Sequence, residues 1–267
     1  MPRVITAFSN PLVKRVRALR DKKHRRDEGM FLAEGLRILA EAEAAGRLPR
    51  YIFHTADTAG HPLVRRLSAA AETAGGEAIE TDRDILHKLS GKDNPQTVLG
   101  VYDEFATDLG AVDRSRADIW LVAQSLRDPG NLGTILRTGD AVGAGGLILI
   151  DDCVDPFSVE AVRASMGALF TQQVARARWP DFLSWLRAGE GLLVGLSLDT
   201  SEDYQAPRYP RPTFLLVGNE AQGLPADYAA ACDVRVKIPM QGAADSLNAA
   251  VATAVMAYEV LNQHRRG

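Results

Sequence analysis

The chain has 267 residues, 46% of them apolar and 24% charged, with a net charge of −3. That length and composition suit one large or two ordinary globular domains with real cores. They exclude a polycation that coats nucleic acid indiscriminately, and no apolar run reaches the roughly 18 residues a membrane span needs. Cys153 and Cys232 are too few for a disulfide framework, and no CxxC or Cys/His spacing suggests zinc. With an opening Met-Pro-Arg-Val-Ile-Thr that lacks the apolar core of a signal peptide, the expectation is a cytoplasmic protein without metal. The histidines (24, 54, 61, 87 and 264) are scattered and read as surface or loop residues.

Charge is unevenly spread. Residues 1–30 hold nine Lys/Arg against three carboxylates, a local +6, so the rest of the chain sums to −9. A basic arm on an acidic body suits a phosphate backbone, and it equally suits a solvated helix face. Lys14, Arg15, Lys22, Lys23, Arg25 and Arg26 are its candidate contacts. Pro11 to about Arg26 is expected as one basic helix with Leu12, Val16 and Leu19 inward. A strand at 31–33 follows, then a helix at 35–45 ending at Gly46 and a strand at 51–54. The pattern continues with a helix at 62–73, a strand at 77–80, a short helix at 82–89 and a strand at 98–102. Residues 1–105 thus form a small alternating α/β domain. The charged, weakly periodic stretch at 106–118 reads as a linker.

A second α/β domain is expected over 119–267. Its strands fall at 119–124, 146–151, 192–197, 214–218 and 234–238, the first two apolar enough to be buried parallel strands. Helices at about 131–143, 156–165, 180–188 and 246–263 alternate with them. The last presents Leu247, Ala250, Val251, Ala254, Val255, Tyr258 and Leu261 as one apolar stripe.

Three Gly/Asn-rich turns follow strands of this domain. They are Asp128-Pro-Gly-Asn-Leu-Gly-Thr-Ile-Leu-Arg137-Thr-Gly, Leu216-Val-Gly-Asn-Glu220-Ala-Gln-Gly-Leu-Pro225, and Lys237-Ile-Pro-Met-Gln-Gly-Ala-Ala-Asp-Ser-Leu-Asn248. An open parallel sheet binds ligands beyond the carboxyl ends of its strands, where these turns should meet. There is no GxGxxG after the first strand and no Walker A, which argues against a nicotinamide oxidoreductase or a nucleotide triphosphatase. Asn131 suits a helix N-cap, and Ser246 and Asn248 would stand beside the unpaired amides of a helix start. Arg137 suits a surface ion pair with Asp140 three residues on. Glu220 reads as a solvated turn and Asn219 as a turn former.

In order and spacing the three blocks resemble the three motifs of the SpoU/TrmH branch of SPOUT RNA methyltransferases. The first part is similar to the substrate-binding domain often attached to this branch, through Phe31-Leu-Ala-Glu-Gly-Leu-Arg and Gln96-Thr-Val-Leu-Gly-Val. The resemblance implies a parallel-sheet domain whose C-terminal segment forms a deep trefoil knot, preceded by a small α/β substrate-binding domain. It implies S-adenosylmethionine held by Gly218, Asn219, Glu220, Ile238, Met240 and Leu247. It implies methyl transfer to a ribose 2′-hydroxyl, with Asn131, Arg137, Glu220, Ser246 and Asn248 as catalytic residues. Guanidinium stays protonated and is donor-only, so Arg137 suits holding a phosphate and steadying developing alkoxide charge, with the proton leaving through Ser246 or water. The expected substrate is rRNA, with tRNA as the alternative, and the expected assembly a homodimer. A noncatalytic RNA-binding or ribosome-assembly protein is the rival from another class. The chain departs from the family pattern at Ala249-Ala250, in place of Val-Ser, and at Asp93-Asn-Pro-Gln, in place of His-Gln-Gly.

Overall fold

The computed structural model describes residues 3–266, and contacts divide it into two compact units. The chain begins with β1 (Arg3–Val4), α1 (Pro11–Ala18), α2 (Lys22–Glu28), β2 (Met30–Glu34), α3 (Leu36–Ala44) and β3 (Tyr51–Thr55). It continues through α4 (Pro62–Thr73), β4 (Glu77–Thr81), α5 (Arg83–Ser90) and β5 (Val98–Asp103) to β6 (Ile119–Gln124). Next come α6 (Pro129–Val142), β7 (Gly146–Ile150), α7 (Val159–Ala164), α8 (Ala168–Thr171) and β8 (Gln173–Ala177). The last elements are α9 (Trp179–Arg187), β9 (Leu192–Leu196), β10 (Thr213–Val217), α10 (Ala226–Ala231), β11 (Val234–Val236) and α11 (Ala249–Arg266).

The first unit runs to Phe105 and also takes in Asp155–Thr171, a segment the sequence assigns to the second domain. Its mixed sheet has the order β1-β4-β3-β5-β2, with β5 antiparallel to both neighbours. Aromatic packing explains the recruitment of the later segment. Phe31 on β2 and Phe105 meet Phe157 and Phe170, with Phe31 centroids 5.1 and 5.8 Å from those two rings. Val159 joins the neighbouring aliphatic core of Val13, Val16, Leu19, Phe53 and Ile79.

The expected single basic helix is two helices. The Asp21 carboxylate accepts the Lys23 amide at 2.8 Å and so caps α2, while Gly29 in the left-handed region (φ 63°) ends it. Val13 is buried where Leu12 was expected; Leu12 is half-buried. Arg25 corrects the sequence reading most sharply. It is 3% exposed, and its Nη2 lies 2.7 Å from Asp155 Oδ2. Its Nη1 donates to the carbonyls of Leu19 and Arg20 at 2.9 Å each. A guanidinium with its donors engaged in the core cannot contact RNA. Arg15 is bound to Glu28 at 2.5 Å, whereas Lys14, Lys22, Lys23 and Arg26 are exposed. His54, expected at the surface, is buried on β3.

The second unit, Ala106–Val154 and Gln172 onward, is built on a six-stranded sheet of order β11-β9-β10-β6-β7-β8. Every pairing in it is parallel. All six residues of β6 and all five of β7 are buried, as expected of continuous apolar runs. The stretch read as a linker belongs to this unit instead. Leu109 and Val112 are buried in its core, and Arg114 lies 4.0 Å over the Trp185 ring. Strand β8, Gln-Val-Ala-Arg-Ala, is absent from the sequence reading because its run is short and broken by Arg176.

α11 packs against α6, β6 and β10, but not by the stripe the sequence suggests. Its buried face is Ala249, Ala250, Thr253, Met256, Ala257 and Val260. Of the expected stripe, Val251 and Tyr258 are 48% and 47% exposed. A periodicity reading weights large apolar side chains, whereas the close packing here selects small ones.

Candidate functional site

Four turns meet at the carboxyl ends of β6, β9, β10 and β11. After β6 the chain turns at Ser125 (φ 48°), and Asp128 opens α6 with Pro129 in its first turn. Asp128, not Asn131, is the helix cap: its Oδ1 accepts the Asn131 amide at 2.7 Å. Capping by the neighbour leaves the Asn131 side chain free for longer-range bonds. Its Nδ2 donates to Glu220 Oε1 at 3.0 Å, and its Oδ1 accepts from Asn248 Nδ2 at 2.9 Å. Asn248 in turn accepts the Ala250 and Val251 amides at 2.9 and 3.3 Å, so it both caps α11 and continues the relay. These bonds fix the flip of both amides, since each oxygen faces a donor and each nitrogen an acceptor. Residues 117 positions apart thus form one chain of hydrogen bonds ending on a carboxylate.

The Glu220 carboxylate also accepts longer bonds of 3.4 Å from the amides of Arg127 and Asp128. Asn219 shapes the turn that carries it. Its Oδ1 accepts from the Ala221 and Gln222 amides at 2.9 and 3.2 Å, while Nδ2 reaches the Ser125 carbonyl at 2.9 Å. A Cβ built on Gly218 would stand 2.3 Å from the Gly223 carbonyl carbon, so only glycine lets this loop close on itself.

Beside the relay lies a cleft of about 340 Å³, a size ordinary for small-molecule sites. Gly218, Asn219, Glu220, Ile238, Met240 and Leu247, the six residues expected at a cofactor, all line it. Ser246 lines it as well. Val217, Leu224 and Val236 supply apolar wall, and Ser197, Asp199 and Ser246 supply polar groups. Such a donor set suits a ligand with a flat apolar ring and a hydroxylated, charged remainder. The Leu196–Asp199 contribution escapes a sequence reading because that turn carries no Gly or Asn; only its position after a strand marks it.

Arg137 is not brought to this cleft. It is exposed on α6, six residues past Asn131, a rotation of about 120° around the helix axis. The hydrogen bonds and ion pairs of the described residues leave it unengaged, so the expected pair with Asp140 does not form. Arg127, which the sequence does not single out, binds Asp152 at 2.6 Å beside the relay, and that carboxylate holds its guanidinium above its ordinary pKa. Beneath the same turn, burial pushes the Cys153 thiol up to about 11, which keeps it protonated and unreactive at neutral pH. Among the described residues no cluster of His, Cys, Asp and Glu could hold a metal ion.

A parallel α/β unit with a loop-built cleft and an Asn–Asn–Glu relay fits an enzyme that binds a small ligand or cofactor beyond the carboxyl ends of its strands. The SpoU rRNA Methylase family model matches residues 118–258, and the MRM3-like substrate binding domain model matches residues 10–100. The chain belongs to the SpoU rRNA methylase family. An AdoMet-bound rRNA methyltransferase from Sinorhizobium meliloti superposes with a TM-score of 0.90, at 37% identity over 98% of both chains. The 23S rRNA (uridine(2479)-2′-O)-methyltransferase of Streptomyces viridochromogenes is 31% identical over 93% of this chain and 88% of its own. The 23S rRNA (guanosine(2553)-2′-O)-methyltransferase RlmP of Bacillus subtilis is 28% identical over 96% and 98% respectively.

Proposed function

We propose that this protein is an S-adenosylmethionine-dependent methyltransferase acting on a ribose 2′-hydroxyl of rRNA. The observation that carries the reading is the Asn248–Asn131–Glu220 relay standing beside a cleft lined by all six expected cofactor residues. A noncatalytic relative has no need to keep that constellation intact.

Gly218, Ile238, Met240 and Leu247 would hold S-adenosylmethionine through backbone and apolar contacts, with Asn219 and Glu220 at its edge. When bound, that cofactor supplies an electrophilic methyl group. The protein's own part is orientation and charge. The relay locks the Asn131 amide and the Glu220 carboxylate in one geometry, and positioning of this kind is worth several orders of magnitude in rate. Arg137, exposed and free of internal partners, suits an RNA phosphate and the alkoxide charge that develops as the hydroxyl loses its proton. Ser246, on the cleft wall, offers that proton a way to water. Lys14, Lys22, Lys23 and Arg26 in the first unit supply exposed cations for RNA.

The same proposal includes a homodimer, supported by the exposed Val251 and Tyr258 one heptad apart on α11. It includes a trefoil-knotted C-terminal segment, supported by a sheet order in which β11 pairs with β9 and not with β10. It also includes a cytoplasmic location, supported by two free cysteines, neither paired in a disulfide.

The test is nucleoside mass spectrometry of unmodified rRNA and tRNA after incubation with the enzyme and methyl-labelled S-adenosylmethionine, with Arg137→Ala run in parallel. Label in 2′-O-methylnucleosides of rRNA, reduced about 10²-fold or more in the variant, is the expected result. Label confined to tRNA moves the substrate class. Label on a base overturns the chemistry, and absence of both transfer and cofactor binding leaves the noncatalytic reading.

A further inference from the structure

The first unit holds a second concavity, of about 440 Å³, lined by none of the residues that line the cleft. Three cations from three separate elements line it: Arg37 in the first turn of α3, Lys92 after α5, and Arg163 on α7. Several arginines elsewhere in this unit meet carboxylates. Arg15, Arg25, Arg50 and Arg66 lie 2.5, 2.7, 2.9 and 2.6 Å from their partners. The three cations of the concavity have no such partner among the described residues. Two carboxylates border it as well. The Glu34 side chain is occupied, accepting the Gln96 amide at 2.7 Å, and Asp93 is exposed at the rim. Three cations against these two carboxylates leave the hollow net positive, which favours an anionic ligand. The side chains of Asn94 and Gln96 add neutral donors to the same wall.

We propose that this concavity is a phosphodiester subsite for RNA, with Arg37 and Arg163 gripping non-bridging oxygens of the backbone and Lys92 neutralising charge beside them. Guanidinium matches a phosphate by paired hydrogen bonds, which two arginines and one lysine supply without reading any base. The assignment rests on the RNA substrate proposed above. It moves the grip of the first unit from the α1–α2 arm alone to a built hollow whose residues come from three distant stretches of sequence.

The experiment is binding of full-length protein to unmodified 23S rRNA transcript over a range of KCl concentrations, beside methyl transfer to the same transcript. Wild type is compared with Arg37→Gln/Arg163→Gln, with Arg37→Lys/Arg163→Lys, and with a control, Arg65→Gln/Arg83→Gln, that removes two exposed cations outside the hollow. All are checked for thermal unfolding and S-adenosylmethionine affinity. The expected result is about a 10-fold loss of RNA affinity near 0.1 M salt in the Gln/Gln variant. The logarithmic salt slope should fall by about 0.7 for each phosphate released. The Lys/Lys variant should recover much of the loss, and the control and the cofactor affinity should stay within about 3-fold. Wild-type binding and methylation together with an unchanged Gln/Gln variant, or an equal loss in the control, would overturn the subsite while leaving the proposed function standing. A wild type that neither binds nor methylates the transcript would overturn both.

Discussion

Two side-chain bridges join distant parts of this chain, one in each unit, and they are built from opposite materials. In the second unit neutral amides and one carboxylate link Asn248, Asn131 and Glu220 at 2.9 and 3.0 Å, on residues that reach solvent. In the first, a full ion pair links Arg25 to Asp155 at 2.7 Å with both side chains sealed from water, 3% and 7% exposed. Both span more than a hundred residues of sequence. The relay keeps polar atoms beside a cleft, where they can act on a ligand. The ion pair directs every strong donor inward and can act on nothing but the fold. Access to solvent, more than charge, separates a functional bridge from a structural one.

If that distinction holds, breaking the buried pair should cost stability and breaking the relay should cost activity. Asp155→Ala strands the Arg25 guanidinium with two carbonyl partners and no counter-charge, and it also removes the acceptor of the Phe157 amide. Unpaired buried charge typically costs about 3–5 kcal/mol, to be read by urea unfolding. Arg25→Met/Asp155→Leu, which removes both charges and fills the space, should recover most of it. A double variant no more stable than Asp155→Ala would mean that the pair specifies the α1–α2 corner beyond its charge balance. The relay predicts the reverse pattern. Asn131→Ala removes both inner bonds while the cap at Asp128, which uses only the residue-131 backbone amide, survives. Methyl transfer to rRNA should fall about 10²-fold from lost positioning, with stability changed by no more than about 1 kcal/mol. Loss of stability without a selective loss of turnover would put the relay in the same class as the buried pair.

The two bridges are not equally legible in the sequence. Glu220 sits in a turn after a strand, and Asn131 and Asn248 at the starts of the helices that follow. Read by residue type they suit turns and caps, and it is the resemblance of their three motifs to a family that marks them as a site. The capping residue of α6 is harder to read, because Asn131 and Asp128 both cap helices well and only Pro129 at the first helical position favours Asp128. Arg25 carries no sign of being a core residue. It lies in a run of cations that are mostly exposed, and its partner is 130 residues away in a segment whose allegiance to the first unit depends on Phe157 and Phe170 packing. Arg137 is the converse case: the motif marks it, yet α6 turns it away from the cleft, so its role depends on what binds there from outside. The outer stripe of α11 reads as core for a simple reason. Val251 and Tyr258 are larger than the alanines that actually face inward.

A third charge pair puts the comparison on a finer scale. Arg15 on α1 and Glu28 on α2 lie 2.5 Å apart, close in sequence to Arg25, but their side chains are 47% and 31% exposed. The hydrogen bond from Arg15 holds the Glu28 carboxyl below its ordinary value. A carboxylate depressed in the folded state contributes stability above its unfolded pKa and loses that contribution as the pH falls through the folded value. Glu28→Gln should therefore cost only about 0.2–1 kcal/mol near neutral pH. The difference from wild type should shrink as the pH is lowered below about 4, and at neutral pH it should shrink again in about 1 M salt, where exposed charges are screened. Unfolding curves for both proteins at neutral and acid pH check this. A cost as large as that of Asp155→Ala, insensitive to salt, would show that charge alone sets the strength of these bridges and that burial does not.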